Sequence, residues 1–326
     1  MSISRQIKDK AVELGLTLAG ITSAEAIGPE QAGRISVWLD EGRAGHMEYM
    51  HRNFNKRIDP GKLLAGAKSV VCIALGYKPR IDIKRPDSDS LLGRVANYAV
   101  YEDYHRFIKR RLYRLAEFMC SLANRKISFK ICVDSAPVAE RALAQRAGVG
   151  FIGRNHMLIH PLYGAEILLG EIISDMALDI DRPMSDRCPD CDRCIRACPT
   201  GALGTDGSLD AKKCISYLTI EHNGLIAPQQ AGQIGDRIFG CEECVLACPY
   251  TIQSQQCQNR DFRFYAEKKW LDLKSILELD EPRFKNMFSD LPLLRCGLDR
   301  LKRNARICMK NVSCGGLSGG KEGICF

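Results

Sequence analysis

Eight of the sixteen cysteines in this chain lie between Cys188 and Cys248, and their order leaves little freedom. Cys188-x2-Cys191-x2-Cys194-x3-Cys198-Pro199 is the spacing in which three thiolates grip one [4Fe–4S] cubane and the fourth reaches a second cluster. Cys241-x2-Cys244-x3-Cys248-Pro249 repeats the last three positions of that run and lacks the first. Cys214, between the two runs, is the natural eighth ligand, with Cys257 as its rival. The set then divides into Cys188, Cys191, Cys194 and Cys248 for one cluster and Cys198, Cys214, Cys241 and Cys244 for the other. A zinc ribbon would need two Cys-x2-Cys knuckles without Cys-Pro ends, which sets zinc aside. Two adjacent one-electron centres imply electron delivery, and the roughly 180 residues before them, about one domain's worth, are where the acceptor belongs.

Composition agrees with a reducing compartment. A secreted disulfide scaffold would be shorter and would spread its cysteines, whereas clustered spacings point to metal. No apolar run reaches the roughly 18–20 residues needed to cross a bilayer. Residues 1–20 mix Arg5, Lys8, Lys10 and Glu13 and lack the apolar core of a secretory signal. The expectation is a cytoplasmic protein, monomeric and with no membrane partner. The formal net charge is +8, and 14 Lys/Arg against 9 Asp/Glu from Arg260 to Phe326 give +5 of it. That bias suits a polyanionic partner, and equally a solvated basic face.

Ahead of the cysteines, helices and strands alternate. The pattern predicts a helix over 3–15, a strand over 16–21 and a buried strand over 69–75. Phe107, Leu112, Leu115, Phe118, Met119 and Leu122 recur at helical spacing from Asp103 to Asn124. Ile127, Phe129, Ile131 and Val133 then alternate as a half-buried strand with Asp134 at its end. Pro137 opens a predicted helix to Ala147, closed by Gly148, and another strand is expected over 167–174. Residues 181–257 need little regular structure. The tail from Asp261 reads as helical, then flexible from Cys314 to Gly320. Cys296, Cys308, Cys314 and Cys325 match no metal spacing and read as inert thiols.

Several stretches together resemble epoxyqueuosine reductases. They are Lys56-Arg57-x2-Pro60, Asp103-Tyr104-His105, Asp134-Ser135-Ala136-Pro137-Val138-Ala139-Glu140, Ala147-Gly148-Val149-Gly150-Phe151-Ile152-Gly153-Arg154-Asn155, Leu169-Gly170-Glu171-Ile172, and Cys214 to Glu221 before Gly240-Cys241. The resemblance implies two [4Fe–4S] clusters, cobalamin, and reduction of the epoxide of epoxyqueuosine to queuosine in a tRNA anticodon. It implies an α/β (α+β) cobalamin-binding catalytic domain over 1–180 and a bacterial-ferredoxin-like double-cluster domain over 181–258. A short basic α-helical tail over 259–326 resembles a truncated HEAT-like domain, with a correspondingly shortened grip on tRNA. An external low-potential donor would supply the electrons.

By the same resemblance Asp134 is the catalytic acid and a cofactor contact, and capping the helix after it is its plainer role. Such an acid needs a pKa raised by burial beside the cofactor. Arg57, Gly153, Asn155, Leu169, Ser216, Cys241 and Glu242 are the other implied cobalamin contacts. The chain has no Asp-x-His-x-x-Gly signature, as expected of a family whose cobalamin takes no protein histidine. Gly148-x-Gly150-x2-Gly153 mimics a dinucleotide fingerprint but follows a helix instead of a strand. Asn97 stands where the family usually has arginine, and with the short tail it favours one alternative, a paralogous reductase with another substrate, small molecules included; a pure electron carrier is a separate alternative.

Overall fold

The run Ser69–Gly76 is buried at every residue because both of its faces are covered. In the computed structural model, which describes residues 1–87, 91–185, 187–188 and 190–315 (Cys314 and Gly315 without side chains), it is an inner strand of a four-stranded sheet. Its neighbours are Leu18–Ser23 on one side and Ile167–Ser174 on the other, and Phe129–Cys132 closes the far edge. Side chains alternate across the sheet. Val71, Ile73 and Leu75 face a core shared with Phe107, Leu112 and Leu115 of the helix Tyr104–Ala123. Val70, Cys72 and Ala74 face Ala142, Leu143 and Ala144 of the helix Glu140–Arg146.

The fold is mixed α/β, as the sequence indicates, but every pairing in this sheet is antiparallel. The rule that ligands bind beyond the carboxyl ends of strands in open parallel sheets therefore does not explain the position of Asp134. Asp134 follows an edge strand, where the chain leaves the sheet beside the helix Tyr104–Ala123. That helix starts on Asp103, whose carboxylate accepts the His105 N–H at 3.0 Å, and ends on Asn124 in the left-handed region (φ 49°). The predicted helix opening at Pro137 begins instead at Glu140, since residues 133–139 form a loop.

A second sheet is not legible in the sequence. Leu92–Val95 pairs in parallel with Arg237–Phe239 and antiparallel with Trp270–Asp272. Three strands of three or four residues thus tie the amino-terminal, cysteine-rich and tail segments together. One hydrophobic core runs through all three, with Phe107, Phe239, Phe284, Leu301 and Cys308 all buried in it. Each such fully buried side chain contributes about 1.5–3 kcal/mol. The tail is helical over Leu273–Glu278, Glu281–Phe288 and Leu298–Gly315, and Gly316–Gly320 lies outside the described residues, as do Cys325 and the side chain of Cys314. No helix of the described residues is long and apolar enough to cross a membrane.

Candidate active site and cysteine-rich segment

The two cysteine runs fold alike. Each places a one-turn helix within its Cys-x2-Cys…Cys-Pro span, Arg193–Arg196 in the first and Glu243–Leu246 in the second. Cys188, Cys191, Cys194 and Cys248 line a single cavity of about 370 Å³, with Arg154, Asn155, Ile159 and Tyr250 completing its wall. Arg154 fixes the loop by donating to Cys191 O at 3.2 Å and Thr205 O at 3.1 Å. Asn155 is buried and donates to Cys244 O at 3.2 Å.

Cys198, Cys214, Cys241 and Cys244 form the neighbouring group, close enough that their thiols push one another's pKa values up. Burial is the larger cause, and it carries Cys241 up to about 11. Cys198 alone is held down, because backbone N–H groups of Leu203, Thr200 and Ala202 outweigh its burial. Among the described residues no three His, Cys, Asp or Glu side chains close on one point as a single ion requires. Cys257 is elsewhere, its Sγ 3.9 Å from Asn259 O and its backbone bonded to Lys78 O. Cys296 and Cys308 are buried in the core, with burial pushing them up to about 11 and about 12.

Gly240 turns the chain into Cys241 at φ +74°, and a Cβ there would meet Ala96 Cβ at 2.8 Å. The two residues after Cys241 are both clamped. Glu243 Oε1 accepts from Arg237 Nη2 at 2.7 Å and from Arg94 Nη2 at 2.5 Å. Glu242 Oε1 accepts from Lys269 Nζ at 2.7 Å, and its Oε2 accepts the Asn97 N–H at 2.6 Å. Asn97, 8% exposed, also donates to Glu166 Oε1 at 2.8 Å and accepts from Lys269 at 2.5 Å. The position singled out by its missing arginine is therefore a buried tie between the cysteine-rich segment and the tail.

Asp134 stands apart from these clamps, with its side chain 54% exposed and its backbone at φ 55°. A non-glycine residue in this region is uncommon, though aspartate tolerates it best. Its Oδ2 lies 3.0 Å from His105 Nε2, and His105 Nδ1 lies 2.6 Å from Asp103 Oδ1. Arg295, from the tail, reaches the same Nε2. Burial pulls the imidazole down, but the hydrogen bonds to Asp103 and Asp134 outweigh it and raise His105 above its ordinary value. Burial likewise raises Asp134, yet His105 and Arg295 outweigh it and hold the carboxyl below the usual range. With protein groups alone around it the carboxyl therefore lies below its ordinary range, whereas the sequence expectation is of a carboxyl raised by burial beside the cofactor.

Arg57 is beside this loop. Its carbonyl accepts the Ala139 N–H at 3.0 Å, Nη1 donates to Val138 O at 3.4 Å, and Nε is buried with no partner among the described residues. Burial lowers the guanidinium, countered by Tyr49, Glu140 and Asp134. Tyr49 itself is pushed up to about 12, first by burial and then by Glu221 and Asp134. Tyr98 lies between the two regions: burial raises its hydroxyl, and the charges of both Asp134 and Glu242 add to the shift. Its ring makes edge contacts with Tyr77 at 6.4 Å and Tyr104 at 6.2 Å.

The remaining predicted residues are scattered along this frame. Leu169 is on the inner strand opposite Ala74, Ser216 offers its N–H to the Cys214 thiol, and Gly153 packs so closely that a Cβ would meet Ile159 Cδ1 at 2.4 Å. His105, Glu140, Arg295, Tyr49 and Lys269 were missed as site residues. Of these, His105 and Glu140 lie within the resemblance motifs, where an acid or base next to Asp134 was open to view. Arg295 and Lys269 come from a distant segment and left no such signal.

Known proteins resemble the chain along most of its length. Residues 187–251 match the family described as 4Fe-4S double cluster binding domain, and residues 57–135 match epoxyqueuosine reductase QueG, DUF1730. Epoxyqueuosine reductase of Xanthomonas campestris pv. campestris is 37% identical over 309 residues, covering 94% of this chain and 86% of that one. The structure of an epoxyqueuosine reductase with a tRNA-Tyr epoxyqueuosine-modified stem loop superposes with a TM-score of 0.87 at 30% identity, over 94% of this chain and 80% of that one. The Bacillus subtilis epoxyqueuosine reductase, in a structure with its catalytic aspartate loop swung out of the active site, gives a TM-score of 0.86 at 29% identity over 95% and 82%.

Proposed function

The chain belongs to the epoxyqueuosine reductase family, and from that premise we propose that it reduces epoxyqueuosine to queuosine in a tRNA anticodon. The observation that carries this reading is the placement of a half-exposed aspartate, bonded to a histidine, one tyrosine away from a clamped cysteine loop. Residues 1–180 would be the catalytic α/β domain, 181–258 the ferredoxin-like electron module and 259–326 a basic tail. The donor would be an external low-potential carrier, and the protein a cytoplasmic monomer.

The residues fit the implied cofactors. Four cysteines round a 370 Å³ cavity suit a cubane far better than an ion, so Cys188, Cys191, Cys194 and Cys248 would hold one cluster. Cys198, Cys214, Cys241 and Cys244 would hold the other, and together the clusters store single electrons. Arg57, whose buried Nε has no partner among the described residues, fits a polar group of cobalamin, with Gly153, Asn155, Leu169, Ser216, Cys241 and Glu242 as further candidate contacts. Cobalamin would supply the two-electron chemistry at the substrate carbon.

The balance is epoxide plus two electrons and two protons to alkene plus water. The protein's own task is the protons. Asp103 orients His105 through Nδ1, and His105 Nε2 meets both Asp134 Oδ2 and the Arg295 guanidinium. As negative charge grows on the departing oxygen, Asp134 would deliver one proton to it and be reprotonated through His105 from solvent, which also supplies the second proton of the water. A relative whose aspartate loop leaves its active site supports a loop that admits the substrate and then closes.

The test is conversion. Anaerobically reconstituted protein with a strong reductant should turn epoxyqueuosine-bearing tRNA into queuosine-bearing tRNA, read in nucleoside digests by the loss of one oxygen mass. Unaltered tRNA from protein that holds both clusters and a corrinoid would overturn the reading.

A further inference from the structure

Behind Asp134 stand two carboxyls that the proposed reaction does not use. Glu171 is in the middle of the strand Ile167–Ser174, paired across to Cys72 and Cys132, and is 0% exposed. Neither of its carboxylate oxygens has a donor among the described residues. The carboxyl of Glu140, the first residue of the helix Glu140–Arg146, faces it. Glu140 Oε1 in turn accepts the N–H of Asp134 at 2.6 Å.

Two ionised carboxylates are acceptors only, so as a fully charged pair they would repel and Glu171 would have no hydrogen bond. One proton between them changes both facts. Glu171 then donates to Glu140, and Glu140 keeps its negative charge for the Asp134 amide. That amide needs a strong partner, because Asp134 is at φ 55° and the loop has few other long-range ties. The Ala139 N–H to Arg57 O is one, and the remaining backbone bonds, Ser135 to Val133 and Val138 to Ala136, are internal to the loop.

We propose that Glu171 and Glu140 share one proton and together latch the Asp134 loop, holding its backbone where the carboxyl meets His105. The inference rests on Asp134 being the acid; both glutamates are positioning residues. The charged and titratable groups round the pair are Asp134, Arg141, Arg57 and Tyr104 near Glu140, and Cys72 and Cys132 near Glu171. Burial, then the Asp134 charge, pushes Glu140 up to about 7, while Arg141 works against that rise, and burial with the Glu140 charge pushes Glu171 up as well. An acid raised in the folded state binds its proton more tightly there, so its stabilising contribution falls as pH rises. The latch is closed on the acid side of the pair's titration and loosens when the shared proton leaves.

Hydrogen exchange of the peptide over 129–139 tests this in the intact, cluster-loaded protein, with rates corrected for intrinsic pH dependence. Loss of a charge-assisted hydrogen bond should raise exchange at Asp134 by roughly ten- to hundredfold. In the unaltered protein that rise should appear as the pH is taken upward through about 7. Glu171→Gln, whose amide donates to Glu140 at every pH, should keep the loop protected throughout. Glu140→Ala should expose it at every pH and lower kcat more than it raises KM, with iron content unchanged. Protection that ignores pH in the unaltered protein, or that survives in Glu140→Ala, would overturn the latch. Because exchange is read without turnover, that failure is distinct from a failure to convert tRNA.

Discussion

The cysteine-rich segment and the Asp134 loop are built on opposite principles. In the first, both residues between Cys241 and Cys244 are tied down, Glu243 by two arginines and Glu242 by a lysine and a backbone amide. In the second, one exposed carboxyl is held by a histidine and by the Glu140 contact to its own amide. Fixed ligands suit electron storage, where geometry must not relax on each transfer. A lightly held acid suits a step in which a bulky substrate enters and a proton leaves. The contrast locates rigidity at the electron source and freedom at the bond being broken.

The largest expected effect breaks the rigid side. Purified protein should contain about eight irons per chain, and Cys244→Ala should remove one cluster and all turnover. Cys257→Ser should change neither, and loss of iron in that variant would reassign the eighth ligand. Next is Lys269→Met, which leaves Glu242 a buried charge without its cation; both side chains are 8% exposed. Breaking such a pair costs about 3–5 kcal/mol, seen as a lowered unfolding midpoint together with looser cluster retention. An unshifted midpoint would show that the tail does not brace the cluster loop.

On the freer side, His105→Gln should slow turnover by about 10²-fold while leaving iron content alone. The sign with pH follows from the raised histidine. Its contribution is fully present below its ordinary value of 6.5 and is lost as pH rises through the folded value, so turnover should fall across that window. A pH profile unchanged in His105→Gln would remove the histidine from the proton path. The smallest effect concerns tRNA. Binding should weaken steeply with salt, since neutralising phosphates releases counterions. The tail arginines are poor candidates for that surface. Arg303 donates to Leu218 O at 2.6 Å, His222 O at 2.7 Å and Gly224 O at 2.8 Å, and Arg300 also bonds the 220–223 turn. Lys302→Ala with Arg306→Ala should therefore flatten the salt slope only slightly.

How far the sequence could be read follows the same division. Cysteine spacing is a local code, so the set lining the 370 Å³ cavity could be written down before any fold was known. The inner strand Ser69–Gly76 was legible because burial on both faces leaves a continuous apolar run, and Ile167–Ser174 because apolar residues flank its Gly170-Glu171 centre on both sides. Their antiparallel pairing was not, since side-chain pattern does not encode direction. The sheet of Leu92–Val95, Arg237–Phe239 and Trp270–Asp272 escaped because its strands are short and meet from distant parts of the chain. The pKa of Asp134 escaped for a related reason. His105 lies 29 residues before it and Arg295 comes from the tail, and only the fold brings their charges to one carboxyl.

The most direct measurement is single-turnover reduction of epoxyqueuosine-bearing tRNA by Asp134→Asn beside the unaltered protein, with iron and corrinoid quantified in the same samples. Asparagine keeps the shape and the contact with His105 but cannot carry the proton to the departing oxygen. The account predicts equal iron and corrinoid and a rate lower by about 10²- to 10⁴-fold. An unchanged rate with full cofactor content would contradict it and leave Asp134 a structural residue of its loop.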